Sequence, residues 1–252
     1  MTVFWQMPLL FATGLVAGFV DSIAGGGGLI TLPVLLSLGL GPQEALGTNK
    51  LQATFGSGSA AGHFAAAKTL TLKDCARGFL WTLVGAALGA IAVQQLNPSF
   101  LRRAIPVLLI LVALYVLFKP RLGTEDTHPR IRRAWFDLIF GLVLGFYDGF
   151  FGPGTGTFWA IAYMVGLGFS MTRATAYTKV TNFASSLSSL VLFLIGRKAS
   201  FVMGLPMGIG QLVGARIGSR MVIARGSRFI RPVFLTMVLA LTLKLLYDAY
   251  SH

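Results

Sequence analysis

The sequence predicts an all-α integral membrane protein made of two inverted repeats of about five helical segments each, with broken or half-helices at glycine-rich motifs. Three observations predict this. Of 252 residues, 55% are hydrophobic and only 12% charged, against about 25% charged in a soluble protein, and mean hydropathy is +0.74. The apolar residues fall in long runs rich in Gly and Ala without two-residue alternation, which favours helices over a membrane barrel. The two halves of the chain also repeat one another. At about 20 residues per crossing, the length accommodates roughly eight to ten helical segments and leaves no separate catalytic domain.

In order, the apolar segments are Met7 to Val20, a short one from Leu29 to Leu40, then Ala45 to Ala67, Gly78 to Val93 and Ala104 to Phe118. A hydrophilic stretch from Lys119 to Arg133, holding Pro120, Gly123 and Pro129, marks the midpoint. The second series is Trp135 to Tyr147, short Gly156 to Leu167, Ala174 to Ile195, Phe201 to Ile217 and Phe229 to Tyr247. The organisation expected is a first transmembrane repeat over 1–118, a basic cytoplasmic linker over 119–133 and a second repeat over 134–252.

The repeat is written in the residues. Gly14-Leu-Val-Ala-Gly-Phe-Val-Asp21 matches Gly141-Leu-Val-Leu-Gly-Phe-Tyr-Asp148 at six of eight positions, at an offset of 127. Gly25 and Gly27 match Gly152 and Gly154. Ala45 and Lys50 match Ala174 and Lys179 at 129, and Arg102 and Pro106 match Arg228 and Pro232 at 126. Matched blocks in one order mark a duplicated fold, as in secondary transporters.

The formal net charge of +13 would suggest nucleic acid in a soluble protein. Here Lys and Arg sit between apolar segments, as the positive-inside rule expects, so no nucleic-acid partner is predicted. Twelve basic residues fall in three loops: Lys68, Lys73 and Arg77; Lys119, Arg121, Arg130, Arg132 and Arg133; Arg220, Arg225, Arg228 and Arg231. They share one side of the membrane only if each half crosses an odd number of times, which follows if the first two segments of each half both cross or form a hairpin that enters and returns. The halves are then inverted, and both termini are expected outside the cytoplasm. The single Cys75 excludes an intramolecular disulfide, His63, His128 and His252 form no metal-ligand spacing, and no cleavable signal peptide is expected. No cofactor is predicted.

Two constellations could carry chemistry. Asp21-Ser-Ile-Ala-Gly-Gly-Gly-Gly28 and its twin Asp148-Gly-Phe-Phe-Gly-Pro-Gly-Thr155 must interrupt a helix, because consecutive glycines and Pro153 cannot hold one. Unwound backbone inside a bilayer is tolerated where protein buries it or water lines it. Half-helices starting there offer N-terminal amides to an anion, with Gly26, Gly27, Gly154 and Thr155 as candidate contacts. A tight loop at the membrane surface is the plainer alternative.

The second constellation is Gly47-Thr-Asn-Lys-Leu-Gln52 and its twin Ala176-Tyr-Thr-Lys-Val-Thr-Asn182. A charge at a helix centre costs about 2.5–3.5 kcal/mol by insertion measurements. Snorkelling to the headgroups would lower that cost. The neighbours argue instead for an anion pocket around Lys50 and Lys179, with Asn49, Gln52, Thr178 and Asn182 as hydrogen-bonding contacts. Asp21 and Asp148 have two readings of equal weight: proton coupling, or a structural role as counter-ions and helix caps. The small-residue runs Gly56 to Gly62 and Ser185 to Ser189 read first as helix packing and second as a hydroxyl-lined path. Gly85, Gly89, Gly210, Gly214 and Gly218 read as packing faces.

Gly18-Phe-Val-Asp21-Ser-Ile-Ala-Gly-Gly-Gly-Gly28, Ala45-Leu-Gly-Thr-Asn-Lys50-Leu-Gln, Gly145-Phe-Tyr-Asp148-Gly-Phe-Phe-Gly-Pro-Gly154 and Gly214-Ala-Arg-Ile-Gly-Ser-Arg220 together resemble the TauE/SafE sulfite-exporter family, also called the toluene-sulfonate uptake permeases. The resemblance spans essentially the whole chain. It implies a multi-pass permease of the cell (inner) membrane for sulfite, sulfonates, sulfoacetate or related organic anions, and not an enzyme. The expected partners are a small anionic substrate, the lipid bilayer and protons; a homo-oligomer stays open. Two alternatives remain at this level: an anion channel, and an intramembrane enzyme using Asp21 and Asp148 as a carboxylate pair.

Overall fold

The computed structural model describes residues 3–117 and 125–226. The predicted segment Phe229 to Tyr247, linker residues 118–124 and both chain ends lie outside the described residues. Among the described residues there are nine helices and no strand. The first series is α1 (Val3–Ala24), α2 (Gly27–Ser37), α3 (Pro42–Ala66), α4 (Leu72–Gln95) and α5 (Pro98–Leu117). The second is α6 (Arg133–Phe150), α7 (Thr155–Leu167), α8 (Met171–Ile195) and α9 (Phe201–Arg225). Each falls on a segment read from the apolar runs.

The interruptions have local causes. Gly25 (φ +80°) takes the chain out of α1, and Gly152 (φ +100°) and Gly154 (φ +82°) do the same after α6. That left-handed backbone is strained for any residue with a Cβ. Pro42 opens α3, where its missing N–H is not needed. With 11 and 13 residues, α2 and α7 extend about 17 and 20 Å, short of a hydrocarbon core of about 30 Å.

Among the described residues, four helical stretches are long and apolar enough to cross a membrane: Gln6–Ala24, Leu72–Gln95, Met171–Ile195 and Phe201–Arg225. Their outward surface is apolar; Leu9 and Val16 of α1, Leu80 and Leu88 of α4 and Val202 and Ile209 of α9 are all exposed. The centre is polar instead. Helices α3 and α8 pack on each other there and bury Thr48, Asn49, Lys50, Gln52 and Ser57 from one, Thr178, Lys179, Thr181, Asn182, Ser185 and Ser186 from the other. A chain with greasy outside and polar inside is a lipid-solvated one.

Around this pair, α1 packs on α9 and α4 on α6, while α9 also lies against α3 and α4 against α8. The opening helix of each series thus leans on the fourth helix of the other. The duplicated Gly14-to-Gly18 and Gly141-to-Gly145 blocks form these seams. A Cβ on Gly145 would stand 2.7 Å from the Thr82 carbonyl oxygen, and one on Gly141 2.6 Å from Trp81 Cβ. Gly14 meets the Met207 carbonyl, Gly210 the Phe11 carbonyl and Gly214 the Leu15 carbonyl just as closely. Close backbone approach of this kind is how small residues join membrane helices.

The described end of the linker is tied to the α7–α8 turn. Thr127 N–H donates to Gly168 O at 2.7 Å, and Arg130 and Ile131 N–H to Gly166 O. The Ser170 amide donates to Asp126 Oδ1 at 2.5 Å and Arg173 to Oδ2 at 3.0 Å. These bonds, the Ser170 amide first, hold the Asp126 carboxyl below the usual carboxylate range.

Candidate functional site

The two breaks cross one another with backbone against backbone. A Cβ on Gly25 would lie 2.6 Å from Thr157 N, and one on Gly156 2.6 Å from Gly25 Cα. Gly28 faces Pro153, with only 3.2 Å between its built Cβ and Pro153 Cα. Thr157 Oγ1 donates to the Ala24 carbonyl at 2.8 Å, fastening the start of α7 to the end of α1.

Each lysine reaches across to the break of the other half. Lys50 Nζ stands 2.8 Å from Asp148 Oδ1 and also donates to the Asp148 carbonyl oxygen. Lys179 Nζ stands 3.0 Å from Asp21 Oδ2 and donates to the Asp21 carbonyl oxygen. Those carbonyls belong to the last turns of α6 and α1, where the helix dipole is negative, so each ammonium serves as a C-terminal cap as well as a counter-ion. The carboxylates work on the other side of the break. Asp21 Oδ1 accepts from Gly27 N–H at 3.2 Å, at the positive end of α2. Asp148 Oδ1 lies 3.2 Å from Thr155 Oγ1 at the start of α7, and Ser185 Oγ donates to Oδ2. Charge therefore closes locally at both breaks.

Between the breaks lies a cavity of about 30 Å³, enough for at least one water. Its walls come in equivalent pairs: Asp21 with Asp148, Gly25 with Gly152, Gly28 with Thr155, Ala53 with Asn182, and Ser57 with Ser186. Asn49, Lys50, Gly154 and Gly156 complete it without a twin in the wall. Gly28 and Gly156 stand in the first turns of α2 and α7, where N–H groups have no intrahelical acceptor. Asn182 is 8% exposed and its Oδ1 has no hydrogen-bond partner. A buried amide oxygen without a partner in a cavity wall is the kind of exception that calls for an explanation.

Of the residues singled out from sequence, Asn49, Lys50, Asn182, Gly154, Thr155, Asp21 and Asp148 share this cavity. Gln52, Thr178, Lys179, Gly26 and Gly27 are not in its wall. Lys179 is completely buried behind it against Asp21, and Thr178 Oγ1 returns to the Ala174 carbonyl at 2.8 Å within its own helix. Gln52 bonds Asn49 and Thr31. Sequence reasoning placed Ser57 and Ser186 in packing runs. A signal was available, since each follows its lysine by seven residues, two helical turns along the same face. Thr31 and Ser185 had no such mark.

Residues 10–245 match the family described as Sulfite exporter TauE/SafE. The chain is 44% identical over 246 residues to a probable membrane transporter protein, YfcA, of Escherichia coli K12, covering 98% of this chain and 91% of that protein. It is 43% identical over 242 residues to a probable membrane transporter protein of Haemophilus influenzae, covering 96% and 95%. A more distant relative, the probable membrane transporter protein YunE of Bacillus subtilis, is 25% identical over 236 residues, covering 84% and 86%.

Proposed function

Because this chain belongs to the TauE/SafE family of membrane transporters, we propose that it is a secondary transporter for a small anion: sulfite, a sulfonate such as sulfoacetate, or a related organic anion. One observation carries the reading. Two helix breaks cross at a cavity whose wall holds first-turn amides from both half-helices, the Ser186 hydroxyl, and the Asn182 side chain, whose buried amide oxygen has no protein partner. Helix N-termini and neutral donors bind an anion without needing a free counter-charge.

In this reading the lysines act differently from one another. Lys50 lends its charge at the cavity wall while holding Asp148; Lys179 supports the site from behind by holding Asp21. In this reading the two halves are inverted repeats with termini outside the cytoplasm, which the paired residues of the cavity wall support. Alternating exposure comes from rocking about the glycine crossing, and a proton on Asp21 or Asp148 couples it to the gradient. Both aspartates are engaged by lysines, Asp21 by Lys179 and Asp148 by Lys50, which supports a structural or coupling role over a carboxylate pair acting as an enzyme.

The test is counterflow in proteoliposomes. Labelled sulfite or methanesulfonate should accumulate in vesicles preloaded with the same unlabelled anion, and uptake should saturate with concentration. Flux that rises linearly without counterflow would make the protein a channel, and no flux of any tested anion would overturn the substrate class.

A further inference from the structure

Asn49 lines the cavity, yet its carbonyl oxygen is already engaged. It accepts from Thr31 Oγ1 at 2.6 Å and from Gln52 Nε2 at 2.7 Å. Gln52 Nε2 also lies 3.1 Å from Thr31 Oγ1, so the three side chains close a triangle. All are buried, Thr31 and Gln52 completely. An amide is planar, with its oxygen and its NH2 on opposite edges. With the oxygen pinned against α2 and Gln52, the NH2 edge is the one left for the cavity.

The triangle is held at a cost, because Gln52 Oε1 is left buried with no partner. The other half has no counterpart. There the equivalent positions are Thr178 and Thr181, whose hydroxyls return to carbonyls of their own helix. Asn182, across the cavity, has no side-chain hydrogen bond to fix it. One wall of the site thus carries an oriented donor and the facing wall an adjustable amide.

We propose that Thr31 and Gln52 are positioning residues that hold the Asn49 NH2 toward the cavity, and that this fixed donor selects an oxyanion without hydrogens over one of equal charge and shape that bears an O–H. The inference rests on the anion reading above and reassigns Gln52 from substrate contact to support. Its physical basis is asymmetric. A donor meeting a bare oxygen forms a charge-assisted bond, whereas a donor meeting a hydroxyl oxygen forms only the weaker neutral one and forces the O–H hydrogen to turn away and find another acceptor.

Methanesulfonate and methylphosphonate make the test. At mildly acidic pH both are monoanions of one shape, and only the phosphonate keeps an O–H. Competitive binding to the full chain in detergent should favour methanesulfonate by about tenfold or more. Gln52→Met and Thr31→Val should each bring that ratio to within about threefold, Thr31→Ser should keep it, and Asn49→Asp should reverse it, replacing donor by acceptor. Should Gln52→Met not fold, the Thr31→Val and Thr31→Ser pair decides alone. An unchanged ratio in Thr31→Val, or equal affinity for both anions in the parent, would overturn the positioning role while leaving anion transport standing. Binding of neither anion by the parent would overturn the anion reading, and this inference with it.

Discussion

A lysine buried in a membrane helix needs a partner, and both of these lysines find theirs in the other half of the chain. The pairs lie 98 and 158 residues apart in sequence. Reading the residues one by one identified all four charges, because a charge in an apolar run stands out. It could not identify the partnership, because nothing local records which distant carboxylate a lysine reaches. The pairing also separates stability from transport. Deleting one member of a buried pair strands the other charge and costs about 3–5 kcal/mol, whereas replacing both by apolar groups of similar size is often neutral or stabilising. Lys50→Ala should therefore lower the detergent melting temperature strongly and abolish counterflow. Lys50→Met with Asp148→Leu should regain most of the thermal stability and still fail to transport. A double variant that carries anion at the parental rate would reduce the pair to scaffolding.

At the level of elements, the breaks and the half-helices were legible because their cause is local: glycine and proline cannot continue a helix, whatever surrounds them. Helix α3 was legible as well, although Thr48, Asn49, Lys50, Gln52 and Ser57 remove it from the set of plainly apolar spans. What the duplicated Gly14-to-Gly18 and Gly141-to-Gly145 blocks do was less plain. They flank the aspartates of the site, yet their glycines serve the α1–α9 and α4–α6 seams. The seams predict a sharp contrast between two helical glycines. A Cβ on Gly145 would stand 2.7 Å from the Thr82 carbonyl oxygen, which belongs to helix backbone that cannot yield cheaply. Gly145→Val should destabilise by roughly 1–3 kcal/mol or more, the cost of overpacking. Gly62 of α3 has nothing within 4 Å of its built Cβ, so Gly62→Ala should be neutral or stabilise by up to about 1 kcal/mol through helix propensity. Thermal melts of the two variants in one detergent check both; equal shifts would mean that the seam is looser than its glycines imply.

Across the whole molecule, the halves are interlocked rather than laid side by side, since each opening helix packs on the fourth helix of the other series. Offsets in sequence reveal duplication but not this exchange, because contacts made so far apart leave no periodic trace in the chain. Interlocking constrains how the cavity can open. At about 30 Å³ it has room for water and not for a sulfonate, so in the proposed reading loading requires the halves to part, and parting must loosen a Lys–Asp tie. The two ties are unequal. Asp148 is held by Lys50, Ser185 and the nearby Thr155 hydroxyl, with its side chain 7% exposed. Asp21 has only Lys179 and the Gly27 amide, and is 16% exposed. The charges facing Asp21 are Lys179 from α8 and, across the shared cavity, Lys50 and Asp148. In the proposed transport cycle, the Asp21–Lys179 tie, held by fewer hydrogen bonds, is the one whose loss would free α1 from α8. Asp21→Asn should then melt below the parent, because it leaves Lys179 buried without its counter-ion, but by less than Asp148→Asn, and should transport without dependence on an imposed pH gradient. Asp148→Asn should melt markedly lower. The paired measurement is a melting curve and counterflow at matched and opposed pH for each variant. If Asp148→Asn proves the milder change, or Asp21→Asn still responds to the gradient, the coupling does not run through Asp21, and the inequality of the two ties has another cause.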